Sequence, residues 1–193
     1  MKSEPAKRPY RMVARAQAAE ETFGAVLDVA VRLFTELPYE DVSLDEVARR
    51  STVSKRTVLR RFESKERLFM TAMNRAVDEM VRQREQAPVG DVAGAVANVV
   101  EHYERWGLNR LRLLSQEDRI PVVAEQVRGG RRFHWSWVEQ TFAPHLDGLS
   151  ARTRKRRTAA LVAITDVYTW KVLRLDIGLS RAETQRTLIE MIG

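Results

Sequence analysis

Residues 42–67, VSLDEVARRSTVSKRTVLRRFESKER, decide how this chain is read. Ser43 has a hydroxyl suited to an N-cap, and Glu46, three residues on, makes the pair a capping box. Leu44, Val47 and Ala48 then share one face of a short helix. Ser51, Thr52 and Val53 interrupt that pattern. Ser54 can cap a second short helix in which Val58 and Phe62 point to one side. Lys55, Arg56, Arg60 and Arg61 point elsewhere, and Ser64 can cap a third helix that opens with Lys65. A short helix with an apolar edge to bury and a basic edge to expose fits a DNA major groove. A basic edge is also what an ordinary solvated helix shows. The close succession of cap, core triplet, turn, cap and core pair favours the DNA reading.

The window resembles the helix-turn-helix signature of the TetR family of bacterial transcriptional regulators. The residues that carry the likeness are Val47-Ala48, Ser51-Thr52-Val53-Ser54, Thr57-Val58-Leu59-Arg60-Arg61-Phe62 and Ser64-Lys65-Glu66. The close match covers about a quarter of the chain, and the remainder matches in length and helical layout. Thr52 stands where the family usually has Gly. A turn residue with positive φ is costly for a β-branched side chain, so either the turn relaxes or it carries strain. Leu59 stands where the family usually has an aromatic that touches the DNA backbone. Arg60 and Arg61 can replace that contact electrostatically, while Leu59 either meets a thymine methyl or packs inside.

Composition bounds the rest. The 193 residues suffice for one or two domains, with 44% hydrophobic and 31% charged residues. There is no cysteine, which excludes disulfides and thiolate metal sites and suits a reducing cytoplasm. No signal peptide core or membrane-length apolar run is present, so we expect a cytoplasmic protein without membrane contact. His102, His134 and His145 are scattered, without ligand spacing, and no phosphate loop, G-x-S-x-G or nucleophile–base pair stands out. We therefore expect no metal, no cofactor and no enzymatic activity. A catalytic reading would need a convergent cluster around His134.

Charge is segregated. Residues 20–46 hold eight acidic and one basic residue, a net of −7, whereas residues 49–67 hold eight basic and two acidic, a net of +6. Such blocks suit a surface that meets phosphates, unless they pair with each other. Residues 1–17 read as a basic, largely disordered arm that adds phosphate attraction or reaches a minor groove. The expected organisation is then a DNA-binding domain over residues 18–66 and a second helical domain over residues 67–193. The fold class is all-α with about nine helices.

Periodicity places these helices. One spans residues 18–37, with Phe23, Leu27, Ala30 and Phe34 at helical spacing, and Pro38 stops it. A helix over residues 65–86 carries the stripe Leu68, Phe69, Ala72, Met73, Ala76, Val77 and Met80, and can act as a lever between two units. Pro88 and Gly90 mark a boundary. Residues 91–115 form a helix that Gly107 loosens or kinks. Residues 122–128 form a short helix ended by Gly129-Gly130, and residues 131–142 form another. Residues 150–176 read as one long helix, apolar on nearly every side after Ala159, with a basic opening that disfavours an early start. Ser180 and Glu183 form a capping box for the last helix.

These features set the functional expectation. The resemblance implies a homodimer paired through the last two helices, a palindromic operator in double-stranded DNA, and a small-molecule effector in the second half. Candidate contacts to base edges are Lys55, Arg56, Thr57 and Arg60, with Ser43, Ser54, Arg61 and Lys65 on phosphates. Candidate ligand-lining residues are Tyr103, Trp106, Phe133, His134, Trp137, Tyr168 and Trp170, which suit an apolar or aromatic compound. Such an aromatic stripe is also what a plain core shows. Asp166 and Lys171 mark a polar ligand contact, an interface contact or a cap. The expected function is a transcriptional repressor released by its effector. The alternative is a helical DNA-binding protein without an effector.

Overall fold

The computed structural model describes residues 7–193, with the backbone alone for residues 7–16, 18 and 19. Among the described residues there is no strand, and the architecture is all-α. The chain divides into two compact units, Met1–Ala76 and Val77–Gly193. No described helix is long and apolar enough to cross a membrane.

In the first unit, α1 spans Lys7–Glu36, α2 spans Leu44–Arg50, α3 spans Lys55–Phe62 and α4 starts at Lys65. Helix α1 begins at Lys7 rather than Ala18, so much of the stretch read as an arm is helical. Pro9 is compatible with this because the first-turn N–H groups of a helix have no internal acceptor to lose. The part of the expected arm before Lys7 lies outside the described residues. Leu27, Ala30, Leu33 and Phe34 of α1 are buried, as the 3.6-residue spacing requires. Phe34 meets Phe69 edge-on at 5.1 Å and stacks on Tyr39 at 5.7 Å. Tyr39 lies in a 3₁₀ turn that follows Pro38.

The division between the units falls inside α4, which runs on to Arg84. The sequence reading placed it after Glu66. The boundary moves because Leu68, Phe69, Ala72 and Met73 are all buried in the first unit.

The second unit is built around α5, Val92–Leu114, which packs against α6 (Pro121–Thr141), α8 (Val167–Lys171) and α9 (Arg181–Ile192). Two elements differ from expectation. Helix α6 runs unbroken through Gly129-Gly130, because α-helical φ and ψ are open to glycine and nothing there supplies an alternative cap. The long helix over residues 150–176 is instead broken. Helix α7 (Ala151–Ile164) ends at Thr165, Asp166 restarts the chain by accepting from the Tyr168 N–H, and a π-helical turn over Val172–Asp176 follows α8. Asp166 is thus a cap, and Lys171 pairs with Asp176 at 2.7 Å.

Helix α7 does start at its basic end. Ser150 accepts from the Thr153 N–H, and Arg157 donates to the Ile192 carbonyl at 2.5 Å, where a helix end carries excess negative charge. The Ser180–Glu183 capping box is present in full. Gly107 does not kink α5. It lies under Trp170, where an added Cβ would fall 2.6 Å from the ring.

Two alanine substitutions separate packing from helix propensity. Alanine in place of glycine gains about 1 kcal/mol in a helix interior, whereas overpacking costs about 1–3 kcal/mol. Gly129 has only one atom, 3.9 Å away, near an added Cβ. Denaturant titration is expected to show Gly129→Ala more stable than the parent and Gly107→Ala less stable. The reverse order would refute the packing of Trp170 on Gly107.

Candidate functional site

The exposed side of α3 is set by what its other side must bury. Val58 and Phe62 are buried, and Phe62 stacks on Phe23 of α1 at 5.3 Å. Lys55, Arg56, Leu59 and Arg60 are consequently left in solvent. Leu59 is 37% exposed, so it belongs to this outer surface and not to the core. Ser54 caps α3 by accepting from the Thr57 N–H at 3.1 Å, and its hydroxyl lies 2.9 Å from that of Thr57. Ser43 caps α2 by accepting from the Glu46 N–H at 3.1 Å. The other half of that capping box is not made. The Glu46 carboxylate turns to Arg49 and Arg50, which hold its pKa down to about 2.

Two backbone features frame α3. Thr52 keeps the left-handed conformation at φ 55°, with its hydroxyl donating to the Ser51 carbonyl at 2.8 Å. Of the two outcomes open to this turn, strain is the one adopted, at roughly 1–2 kcal/mol for an L-residue. Glu63 follows α3 at φ 66°, and the Ser64 N–H reaches back to the Phe62 carbonyl at 2.7 Å. This tight γ-turn lets α4 begin at once, with Ser64 accepting from the Arg67 N–H.

The charge blocks do pair in part. Lys55 meets Asp45 at 2.7 Å, Arg61 meets Glu20 at 3.3 Å and lies over the Phe23 ring, and Arg75 meets Asp28. Lys65 lies 4.3 Å over the Tyr39 ring and donates to the Glu40 carbonyl, and burial lowers its pKa. Among the described residues, Arg56 and Arg60 meet no carboxylate. Of the basic candidates, these two present the most available charge. Tyr39, which the sequence reading missed, supports Lys65 and donates to Glu66 at 3.2 Å. An open groove of about 630 Å³ lies between α1 and α3, lined by Phe23, Val26, Val58 and Phe62.

Residues 26–71 match the model of the family described as bacterial regulatory proteins, tetR family. The chain carries a TetR-type helix-turn-helix. The resemblance read from residues 47–66 is borne out, and the N-terminal unit is a DNA-binding unit of the kind found in bacterial transcriptional regulators. No curated protein matches the chain in sequence. Solved structures do match in shape. A transcriptional regulator from Rhodococcus sp. Rha1 gives a TM-score of 0.64 at 22% identity, over 91% of this chain and 94% of its own. A tetR-family transcriptional regulator from Streptomyces coelicolor gives 0.69 at 19% identity, over 90% and 79%. A TetR transcriptional regulator from Rhodococcus sp. RHA1 gives 0.53 at 18% identity, over 89% and 94%. At these identities the likeness establishes the fold.

Beyond the TetR-type helix-turn-helix in sequence, the second unit holds the aromatic candidates in different settings. Tyr103 is buried and donates to the Thr165 carbonyl at 3.0 Å. Trp106 is half-buried against His102. Trp170 is buried, and its N–H donates to Glu104. Tyr168 is exposed. Phe133 and Trp137 line a cavity of about 380 Å³ together with Arg84 and Val81. Sequence reasoning missed Arg84 and Arg110. A signal for each existed: Arg84 continues the apolar stripe Met73, Val77, Met80, and Arg110 continues Val99, Tyr103, Trp106 at helical spacing.

His134 sits against this group. The Arg84 guanidinium donates to its Nδ1 at 3.1 Å, so its proton lies on Nε2, facing the Val162 carbonyl at 3.3 Å. Burial, then Arg84, pushes the His134 pKa down to about 3. His102 donates from Nδ1 to Gln83 at 3.1 Å, and burial, then Arg84, pushes its pKa down to about 2. Both lie below the value of about 6.5 in an unfolded chain. Unfolding therefore takes up protons below about pH 6.5. The stability these neutral rings contribute is complete above that pH and falls as acid is added, by about 1.4 kcal/mol per pH unit for each ring. His134→Gln should reduce the proton uptake on unfolding between pH 6 and pH 4 by about one. Unfolding free energies measured across that range by tryptophan fluorescence check this, and an unchanged slope would refute it.

Proposed function

We propose that the protein is a homodimeric transcriptional repressor that holds a palindromic operator and is released by a small molecule. The single observation that carries the DNA part is the outer face of α3, where Arg56, Leu59 and Arg60 stand exposed on a TetR-type helix-turn-helix. Arg56 and Arg60 read base edges in the major groove, with Lys55 and Thr57 beside them. Ser43, Ser54, Arg61 and Lys65 contact phosphates and set register. Lys55 and Arg61 must first exchange Asp45 and Glu20 for DNA, so they add less than their charge suggests. Leu59 replaces an aromatic backbone contact with an apolar one to a thymine methyl.

The dimer reading rests on apolar side chains left in solvent near the C-terminal end. Tyr168, Val172 and Leu175 recur at helical spacing and are 53%, 46% and 46% exposed, with Ile177 at 61% and Met191 at 47%. Exposed apolar residues grouped in this way mark an association surface. Pairing by a two-fold axis lets two copies of α3 read two half-sites, which gives a short helix useful affinity. Effector release follows from linkage: a compound that prefers a conformation unsuited to the operator lowers DNA affinity, and DNA lowers its affinity equally. Helix α4 contributes to both units and is the covalent route for that coupling.

Selection of bound duplexes from a random pool tests the reading directly, and palindromic enrichment is the expected result. On the selected duplex, Arg56→Ala is expected to cost about 1–3 kcal/mol and to relax sequence preference. Lys65→Ala should weaken selected and scrambled duplexes alike. Anisotropy titrations distinguish the two, and equal losses for both variants on both duplexes would refute the assignment. Leu175→Asp should sediment as a monomer and lose most operator affinity. A variant that remains paired removes the C-terminal surface from the account.

A further inference from the structure

The second unit buries more positive charge than its side chains neutralise. Arg84 is 2% exposed. Its guanidinium carbon lies 3.7 Å over the Trp137 ring, one nitrogen reaches His134, and Nε has no acceptor among the described residues. Arg110 stands near the same group. Its guanidinium presses on Gly130, where an added Cβ would fall 2.7 Å from both terminal nitrogens, and it donates to the Val127 carbonyl at a long 3.4 Å. Neither arginine forms an ion pair among the described residues. Asp166 and Glu117 act on Arg110 from a distance, but Asp166 also caps α8 and Glu117 pairs with Arg131, and neither carboxylate acts on Arg84. His102 and His134 stay neutral beside these cations.

A buried guanidinium without a carboxylate is unfavourable by several kcal/mol unless something compensates it. A ring face, one imidazole nitrogen and the nearby Tyr103 hydroxyl compensate Arg84 in part, and none of them carries the opposite charge. The cavity it helps to line adds the second observation. This cavity is about 380 Å³, within the range of small-ligand sites, and combines Arg84 with Val81, Phe133 and Trp137. Ser136 and Gln140 also line it and offer neutral hydrogen-bonding groups, and Glu85 there is exposed to solvent. A purely apolar guest would leave the charge as it is. A guest with one carboxylate would bring the missing counter-charge.

We propose that this cavity binds a small organic anion, an aromatic or branched apolar body with a single carboxylate that pairs with Arg84, in the positive field of Arg110. The proposal rests on the effector reading given above and narrows it. The expected ligand was apolar or aromatic, and the buried arginine adds a negative charge to that description. Gly130 allows the Arg110 guanidinium its place, so this glycine of α6 serves the charge arrangement and not a helix end.

The test uses the full-length protein at pH 7.5 and a series of aryl carboxylates, from benzoate to 1-naphthylacetate, each beside its primary amide. Acid and amide have nearly the same shape and differ in charge. Calorimetry is expected to show at least one acid binding about tenfold or more tighter than its amide, as a charge-assisted pair requires. Arg84→Gln should bring that acid down to the affinity of the amide, with Arg84→Lys between the two, and circular dichroism verifies folding of each variant. Equal binding of acids and amides, or binding by none of the acids, overturns the proposal. The parent protein alone decides this comparison, even if Arg84→Gln fails to fold. An operator-release assay with the same compounds separates the two readings. Release by amides as readily as by acids leaves the effector reading intact and removes the anion. An acid that binds tightly without releasing DNA supports the anion site and refutes its effector role.

Discussion

The basic outer surface of α3 depends on one constraint: the helix must bury Val58 and Phe62. The helix is only two turns long, so two buried side chains fix its rotation completely. Once Phe62 stacks on Phe23, the side chains at positions 55, 56, 59 and 60 can point only outward. The basic character of the surface follows from sequence, and its orientation follows from this aromatic contact. The strained Thr52 and the γ-turn at Glu63 serve the same end, because they deliver α3 to its seat with almost no connecting chain on either side.

The second unit is governed by a different balance. Its aromatic residues bury large areas, and among them stand two arginines and two neutral histidines. Charge in such a place is unfavourable unless hydrogen bonds, ring faces or a guest compensate it. The unit accepts this around Arg84, where Trp137 supplies both a ring face beneath the guanidinium and an N–H donated to the Arg84 carbonyl at 2.9 Å. One tryptophan thereby holds both the backbone and the side chain of the last turn of α4.

The legibility of the sequence followed the range of the forces involved. Helix caps at Ser43, Ser54, Ser64 and Ser180 were readable because the accepting hydroxyl and the donating N–H lie three residues apart. The stripes of α1 and α4 were readable because burial repeats with the helix period. The breaks were not. Gly129-Gly130 resembled an end, but Arg110 packing on Gly130 is a contact across 20 positions of chain. The apolar run after Ala159 resembled one helix, and Thr165 and Asp166 divide it by local hydrogen bonding that hydropathy does not report. On the outer face of α3, the basic residues were visible in order. Which of them are already engaged by Asp45, Glu20 or Tyr39 depended on tertiary structure. Arg84 and Arg110 were hidden for a simpler reason: a cation on an apolar stripe reads as an exception until its neighbours are known.

The tryptophans have a spectroscopic consequence. Trp106, Trp135, Trp137 and Trp170 all lie in the C-terminal unit, and the helix-turn-helix unit has none. Ultraviolet emission from indole therefore watches one half of the molecule and is blind to the half that carries the helix-turn-helix. Stepwise melting in which the N-terminal unit opened first would pass unseen by that light, and only an amide-based or extrinsic signal would register it.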